Sequence, residues 1–416
     1  VSGLKYWIWL SSLTGIGALT AGRLIKEFCS PEQVFFADEK AYAGIEELRK
    51  SDIAALMDKN LARARKALSV CEENGYRIIT IQDTEYPARL KNLYDPPIIL
   101  YIRGRLPIID DEAAVAIVGT RNCTPYGSIS AERMGYELTR DGCLIVSGLA
   151  KGVDTAAARG ALRAGGRVVG VVGSGLDIVY PAENKALFDD VASVGAIISE
   201  YAPGTPAVAK HFPARNRIIS GISVGVTVIE APLQSGALIT AARALDQGRD
   251  VFALPGNVDS PACEGSNRLL REGAIIVTSG QEIAEEYAAL FPDKINITVR
   301  KEKVALGAKQ AERLVRSVAQ GDKIRQELPK KVIDNTEPVE YIDLVKLKKS
   351  LTDDEFGVVS AISGVKTHID NIIADSGIPA SSALSILTML EIKGIVIQTK
   401  GKYFSLAQTI IQSQIE

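Results

Sequence analysis

The chain has 416 residues, more than one ordinary compact core holds, and its 46% hydrophobic and 24% charged content excludes wholesale disorder. A formal net charge of -2 excludes bulk attraction to a polyanion, so any such site has to come from local clusters of Arg and Lys. Five cysteines without a CxxC pair, and only His211 and His368, speak against a disulfide framework, a metal centre or a histidine-based triad. No metal and no cofactor are expected, and a reducing cytoplasm is the expected compartment.

Residues 1 to about 75 read as a helical domain. Its apolar start, Tyr6-Trp7-Ile8-Trp9-Leu10 after Lys5, resembles a short secretion leader. It is soon broken by Ser11, Ser12, Thr14, Gly15 and Gly17, and no A-x-A site follows, so secretion is not expected. No other run is long enough to span a membrane. Leu10, Leu13, Ile16, Leu24 and Ile25 around Gly15-Ile16-Gly17, with Ala21 at a small position, resemble a helix-hairpin-helix (SAM-like) unit. Two readings stay open there: a phosphate-binding turn before a helix start, or a plain helical hairpin.

From about 76 to 290, short Val- and Ile-rich runs alternate with helical segments. The runs are Arg77–Ile81, Val115–Val118, Leu144–Val146, Val168–Val172, Ala196–Ile198, Gly225–Ile229 and Asp250–Leu254. Continuous apolar runs joined by helices predict an α/β domain, a Rossmann-like parallel sheet covered on both faces. Small or turn-forming residues follow most runs: Gly119-Thr120-Arg121, Ser147-Gly148, Gly173-Ser174-Gly175, Ser199-Glu200, Ala231-Pro232 and Pro255-Gly256. In an open parallel sheet these loops gather at the carboxyl ends of the strands, where such folds bind ligands. Residues 291–350 read as a polar linker with some helix, carrying Pro329 and Pro338. Residues 351–410 read as three helices, marked by Phe356, Val359 and Ile362, by Ile369, Ile372 and Ile373, and by Leu384, Leu387 and Leu390. A hairpin of Ile395-Val396-Ile397, Lys400-Gly401-Lys402 and Tyr403-Phe404 follows, which completes a winged-helix layout.

The central domain has no GxxxxGK[ST] loop. Gly173-Ser174-Gly175 begins a dinucleotide-binding fingerprint, but Ile178 stands where the third glycine belongs. Instead the sequence clears carboxylates from the strand-end regions. None lies between Glu112 and Glu132, around Arg121, and none between Glu200 and Glu230, around Lys210, His211, Arg215 and Arg217. Fixed cations beside close backbone N–H groups suit phosphate. Arg159, Arg163 and Arg167 occupy a similar gap but read as a solvated helix face. Phe212-Pro213-Ala214-Arg215-Asn216-Arg217 sets an aromatic ring beside cations, a combination that serves unpaired strands better than duplexes. Two alternatives stand beside it: Phe212 as core and Asn216 as a helix cap. Asp154, Asp177, Glu200 and Glu230 also follow strands, but no nucleophile and histidine accompany them, so capping and pairing with arginine are the expected roles and no catalytic residue is assigned.

These motifs resemble the bacterial DNA-processing protein family known as DprA or Smf. The matching strings are Tyr86-Pro87, Leu90 and Asp95-Pro96-Pro97, Val118-Gly119-Thr120-Arg121 with Tyr126-Gly127, and Ser147-Gly148-Leu149-Ala150 with Gly152-Val153-Asp154. Further along come Gly175-Leu176-Asp177 with Tyr180-Pro181, Ser199-Glu200, Phe212 through Ile219, Glu230-Ala231, Ser235 through Thr240, and Gly248 through Pro255-Gly256. They run in unbroken order from about 86 to 275. The resemblance implies a cytoplasmic protein of natural transformation that binds and protects incoming single-stranded DNA. It also implies dimerisation through the Rossmann-like domain and help in loading the RecA recombinase. The DNA pocket it implies involves Gly119, Thr120 and Arg121 together with Phe212, Arg215, Asn216 and Arg217 and a nearby lysine, here Lys210, and Ser147, Gly148, Ser235 and Gly236 of the matching strings are further expected DNA-binding residues. Three departures are visible. Thr120 replaces the usual Ser, Ala158 stands where the family commonly has His, and Ser381-Ser382-Ala383-Leu384-Ser385 lacks the basic residues of a major-groove reader. The rival function is a nucleotide-processing enzyme of a related Rossmann-like family, but the Pro-Gly-Gly-x-Gly-Thr loop of such enzymes is replaced by Pro255-Gly256-Asn257-Val258-Asp259.

Overall fold

The structure, a computed structural model, describes residues 3–45, 47–297, 342–343, 351–362, 367–392, 395–399, 403–406 and 410–411. Apart from Ile342 and Asp343, the expected linker from 298 on lies outside these residues, as does the Lys400-Gly401-Lys402 turn. The chain divides into two compact units, Val1–Gly321 and Asp322–Glu416. Among the described residues no helix is long and apolar enough to cross a membrane.

Six helices open the first unit: α1 Leu4–Ser12, α2 Ala18–Phe28, α3 Pro31–Phe36, α4 Glu39–Ala43, α5 Lys50–Leu56 and α6 Ala62–Glu73. Gly15 takes a φ of 93° between α1 and α2, a conformation glycine reaches without steric cost, and this closes a helical hairpin over the buried Ile16. The leader-like stretch is core. Ile8, Trp9 and Leu10 are almost fully buried, and the Trp9 indole N–H donates to the Asp58 carbonyl at 2.7 Å.

The seven apolar runs each form a strand: β1 Arg77–Thr80, β3 Ala114–Val118, β4 Leu144–Ser147, β5 Val168–Val172, β6 Ala196–Ser199, β7 Gly225–Val228 and β8 Asp250–Ala253. The same sheet holds two strands besides the apolar runs, β2 Ile99–Gly104 and the two-residue β9 Ile275–Ile276. The sheet order is β1-β2-β6-β5-β4-β3-β7-β8-β9. From β6 to β9 all neighbours are parallel, whereas β2 runs antiparallel to both β1 and β6. The intervening helices are α7 Ala88–Lys91, α8 Pro125–Arg140, α9 Val153–Arg163, α10 Lys185–Val194, α11 His211–Ile222, α12 Gly236–Asp246, α13 Glu264–Arg271 and α14 Gly280–Tyr287.

Alternate strand residues supply two cores. Val115, Ile117, Ile145 and Ile197 face one cluster with residues of α8, α9, α10 and the N-terminal helices. Ala116, Val118, Val146 and Val171 face the other, with Ile218, Ile219 and Ile222 of α11 and Ala237, Ala241 and Ala244 of α12. This double covering is why the strands read as continuous apolar runs. Chain order reverses at β3, flanked by β4 and β7, so loops after β3 and β7 diverge and leave a crevice at their carboxyl ends.

The second unit holds helices Asp353–Ala361, Ile369–Ser376 and Ala380–Ile392 with a three-stranded sheet of Thr367–His368, Tyr403–Leu406 and Val396–Thr399. Val359, Ile362, Ile369, Ile372, Leu387, Leu390, Val396 and Phe404 form its core, while Leu384, expected to mark the inner face of the third helix, is 48% exposed. Thr352 and Glu355 close a reciprocal capping box at its first helix.

Candidate nucleic-acid interface

A cleft of about 500 Å³ opens at the crevice between β3 and β7. It is lined by Gly119, Thr120 and Arg121 after β3, by Ala150 and Asp154 at the start of α9, by Tyr180, by Ala207 and Ala209, by Phe212, Pro213, Arg215 and Asn216 of α11, and by Ser235 and Gly236 at the start of α12. Three helices of eleven or twelve residues thus begin at one cleft. The positive dipole ends of these helices favour an anion there, although several first-turn N–H groups already have partners: that of Val153 donates to the Thr120 carbonyl and that of His211 to the Val208 carbonyl. The Ser235 side chain already accepts from the Ala237 N–H, while a side chain at Gly236 would meet only open space.

The Gly119-Thr120-Arg121 loop is held from below. The Thr120 N–H donates to the Glu230 carbonyl at 2.7 Å, and the Thr124 N–H donates to the Glu230 carboxylate at 2.9 Å, as does the Thr124 hydroxyl. Thr124 in turn caps α8 by accepting from the Gly127 N–H at 3.1 Å. Glu230, fully buried, is therefore the anchor of the loop and pairs with neither Arg215 nor Arg217. Gly152 sits with φ 76° against the other side of the loop, where a side chain would strike the Thr120 and Arg121 carbonyls. So fixed, Arg121 is exposed, and its guanidinium carbon lies 5.1 Å from the centre of the Phe212 ring.

Beneath the cleft Asp154 and Arg215 are buried close enough to influence each other's charge. Burial pushes the Asp154 carboxyl up to about 6, partly countered by the Arg215 guanidinium, and burial brings Arg215 down to about 10. The Arg215 guanidinium donates to the carbonyls of Gly148, at 2.9 Å, and Val171. Gly148 leaves room for this pair, because a side chain there would collide with both charged groups.

The structure therefore separates the expected site residues. Gly119, Thr120, Arg121, Phe212, Arg215, Asn216, Ser235 and Gly236 come together around the cleft. Lys210 is exposed at the N-cap of α11, between the lining residues Ala209 and Phe212. Ser147 is fully buried. Its hydroxyl accepts from the Leu149 N–H and donates to the Asp154 carbonyl, which shapes the turn into α9 rather than reaching the cleft. Gly148 is spacing for the buried pair. Arg217 points elsewhere, bonded to Glu200 at 2.7 and 2.8 Å and to Asp95 at 3.1 Å. Asn216 is not a helix cap, since α11 starts at His211. Its amide donates to the Gly236 carbonyl at 3.3 Å and ties α11 to the start of α12. The solvated-face reading of the other arginines fits their placement: Arg159 is exposed, Arg163 pairs with Glu132 and Arg167 with Glu112. Among the described residues no cluster of His, Cys, Asp and Glu could hold a metal ion. Tyr180, part of the matching Tyr180-Pro181 string but not among the expected site residues, lines the cleft and borders Phe212 with ring centres 5.4 Å apart.

Residues 77–288 match the family described as DNA recombination-mediator protein A, and residues 346–402 match the DprA winged helix domain. Among curated relatives, DNA processing protein DprA of Streptococcus pneumoniae is 45% identical over 208 residues, covering 50% of this chain and 73% of that protein. Protein Smf of a Synechocystis species is 33% identical over 404 residues, covering 95% and 97% of the two chains. The solved structure of the Streptococcus pneumoniae DprA superposes with a TM-score of 0.60 at 36% identity, covering 68% of this chain and 97% of that one.

Proposed function

Because the chain belongs to the DNA recombination-mediator protein A (DprA, or Smf) family, we propose that it binds single-stranded DNA at the strand-end cleft. In this reading it protects DNA entering the cytoplasm during natural transformation, works as a homodimer and helps load the RecA recombinase. It is a binding protein rather than an enzyme. The observation that carries the reading is the cleft itself. One exposed arginine on a rigid loop, three helix starts and two aromatic rings converge where an open parallel sheet takes ligands.

Duplex DNA hides its bases inside the stack, and the cleft offers rings for bases rather than a helix for a groove. The third helix of the C-terminal unit, Ala380–Ile392, carries no basic residue. The carboxylates support the same reading, because each of the four candidates is engaged structurally. Glu230 holds a loop, Glu200 pairs with Arg217, Asp177 accepts from the Gly204 N–H at 2.9 Å, and Asp154 lies beside Arg215. The expected result is that the protein binds a labelled single strand more tightly than a duplex of equal length, with little base preference, in a fluorescence-anisotropy titration. Equal or tighter binding to the duplex would refute the proposal.

A further inference from the structure

We propose that Tyr180 is the ring on which an unpaired nucleobase stacks, the outer step of a relay Arg121–Phe212–Tyr180 in which Phe212 is the support. The inference rests on the reading of the cleft as a single-strand site. Phe212 is partly buried and already engaged, with the Arg121 guanidinium 5.1 Å from its ring centre and Tyr180 at 5.4 Å with the ring planes tilted by 37°. Its place is fixed from behind as well. Gly173 lies so close that a side chain there would come within 3.3 Å of the Phe212 ring and 3.4 Å of the His211 backbone. Tyr180 lines the same cleft and is 46% exposed. A ring left this open in the cleft, separated from the Arg121 guanidinium by Phe212 alone, offers a π-face one ring away from a phosphate-binding charge, which is the pairing an unstacked nucleotide needs. Arg121 would then hold the phosphate of the nucleotide whose base lies on Tyr180.

The test uses the full chain and two oligomers of equal length, oligothymidine and an abasic tetrahydrofuran strand with the same phosphates. Tyr180→Ala is expected to lose roughly 5- to 150-fold in affinity for oligothymidine. It should keep the salt dependence of the unaltered protein, because the ring is neutral. Tyr180→Phe should retain the affinity. On the abasic strand, Tyr180→Ala and the unaltered protein should bind alike. Tyr180→Trp should show quenched indole fluorescence with oligothymidine and not with the abasic strand. If Tyr180→Ala binds oligothymidine normally while Arg121→Ala is weakened, Tyr180 is no stacking residue although the cleft stands. If neither change alters binding, the cleft assignment fails with it. The abasic comparison on the unaltered protein keeps the proposal falsifiable should Tyr180→Ala not fold: equal affinity for both strands overturns it.

Discussion

Replacing Arg121 by alanine is expected to weaken single-strand binding by about 10- to 150-fold, the loss of one charge-assisted hydrogen bond worth about 1.5–3 kcal/mol. Arg121 is the exposed cation that the structure fixes at the cleft, through the Glu230 anchor on one side and Gly152 on the other. The planar guanidinium fork is pre-organised for a phosphate, so less entropy is lost per hydrogen bond than by a lysine, and its removal should cost more than that of a surface lysine. Each phosphate neutralised on a single strand contributes about 0.7 to the slope of log K against log salt, and Arg121→Ala should lower the slope by about that amount. Arg121→Lys separates two contributions. It keeps the charge and hence the slope, but gives up the planar contact with Phe212, so its affinity should fall between those of the alanine variant and the unaltered protein. Anisotropy titrations at several salt concentrations read both quantities. Unchanged affinity and slope in a folded Arg121→Ala protein would remove Arg121 from the site.

Arg217→Ala should act on stability instead, destabilising the first unit by about 3–5 kcal/mol, because it strands carboxylates arranged around a buried charge. Arg217 is almost fully buried, with Glu200 largely shielded and Asp95 partly exposed beside it. Arg217→Met should be costly for the same reason, and combining it with Glu200→Leu should recover much of the loss, since the unpaired charge rather than the missing contact is the main penalty. Urea unfolding measures this. The folded fraction of Arg217→Ala should bind single strands at near-normal affinity. A variant that is as stable as the unaltered protein yet fails to bind would return Arg217 to the DNA site.

The contrast between Arg121 and Arg217 shows where the sequence is legible and where it is not. Loops after parallel strands have a fixed location, so the strand pattern alone assigns Gly119-Thr120-Arg121 and Ala231-Pro232 to one edge, whereas Ser235 and Gly236 stand out only as part of a family string. Arg215, Asn216 and Arg217 look like one polar cluster in the sequence, but each helical residue turns by about 100°, so the two arginines point about 200° apart. One meets Asp154 under the cleft and the other meets Glu200 and Asp95. Asp154 and Arg215 are distant in sequence, and only the fold shows that Gly148 makes space for both. Tyr180 was visible as a residue, yet nothing in its spacing says that it comes to lie against Phe212, some thirty positions away.

The missed strands have similar reasons. Ile98 through Ile102 is a continuous apolar run, but it follows Pro96-Pro97, and only the four-residue helix α7 separates it from β1, in place of the long crossover helices that set the rhythm of the other strands. It runs antiparallel, an arrangement that periodicity does not encode. Strand β9 has two exposed residues and defines itself only by pairing with β8. In the winged-helix unit the apolar spacing locates all three helices, and of the three leucines that mark the third helix Leu387 and Leu390 are core while Leu384 is exposed.

The most direct measurement is hydrogen–deuterium exchange of the full chain with and without a short single strand. Binding at the cleft predicts slowed exchange in the Gly119–Thr124 loop, at the start of α11 around Lys210–Pro213 and at the start of α12 around Ser235–Ala237, with the helices of the winged-helix unit unchanged. Protection confined to residues 353–406, with those three segments exchanging as in the free protein, would contradict the account.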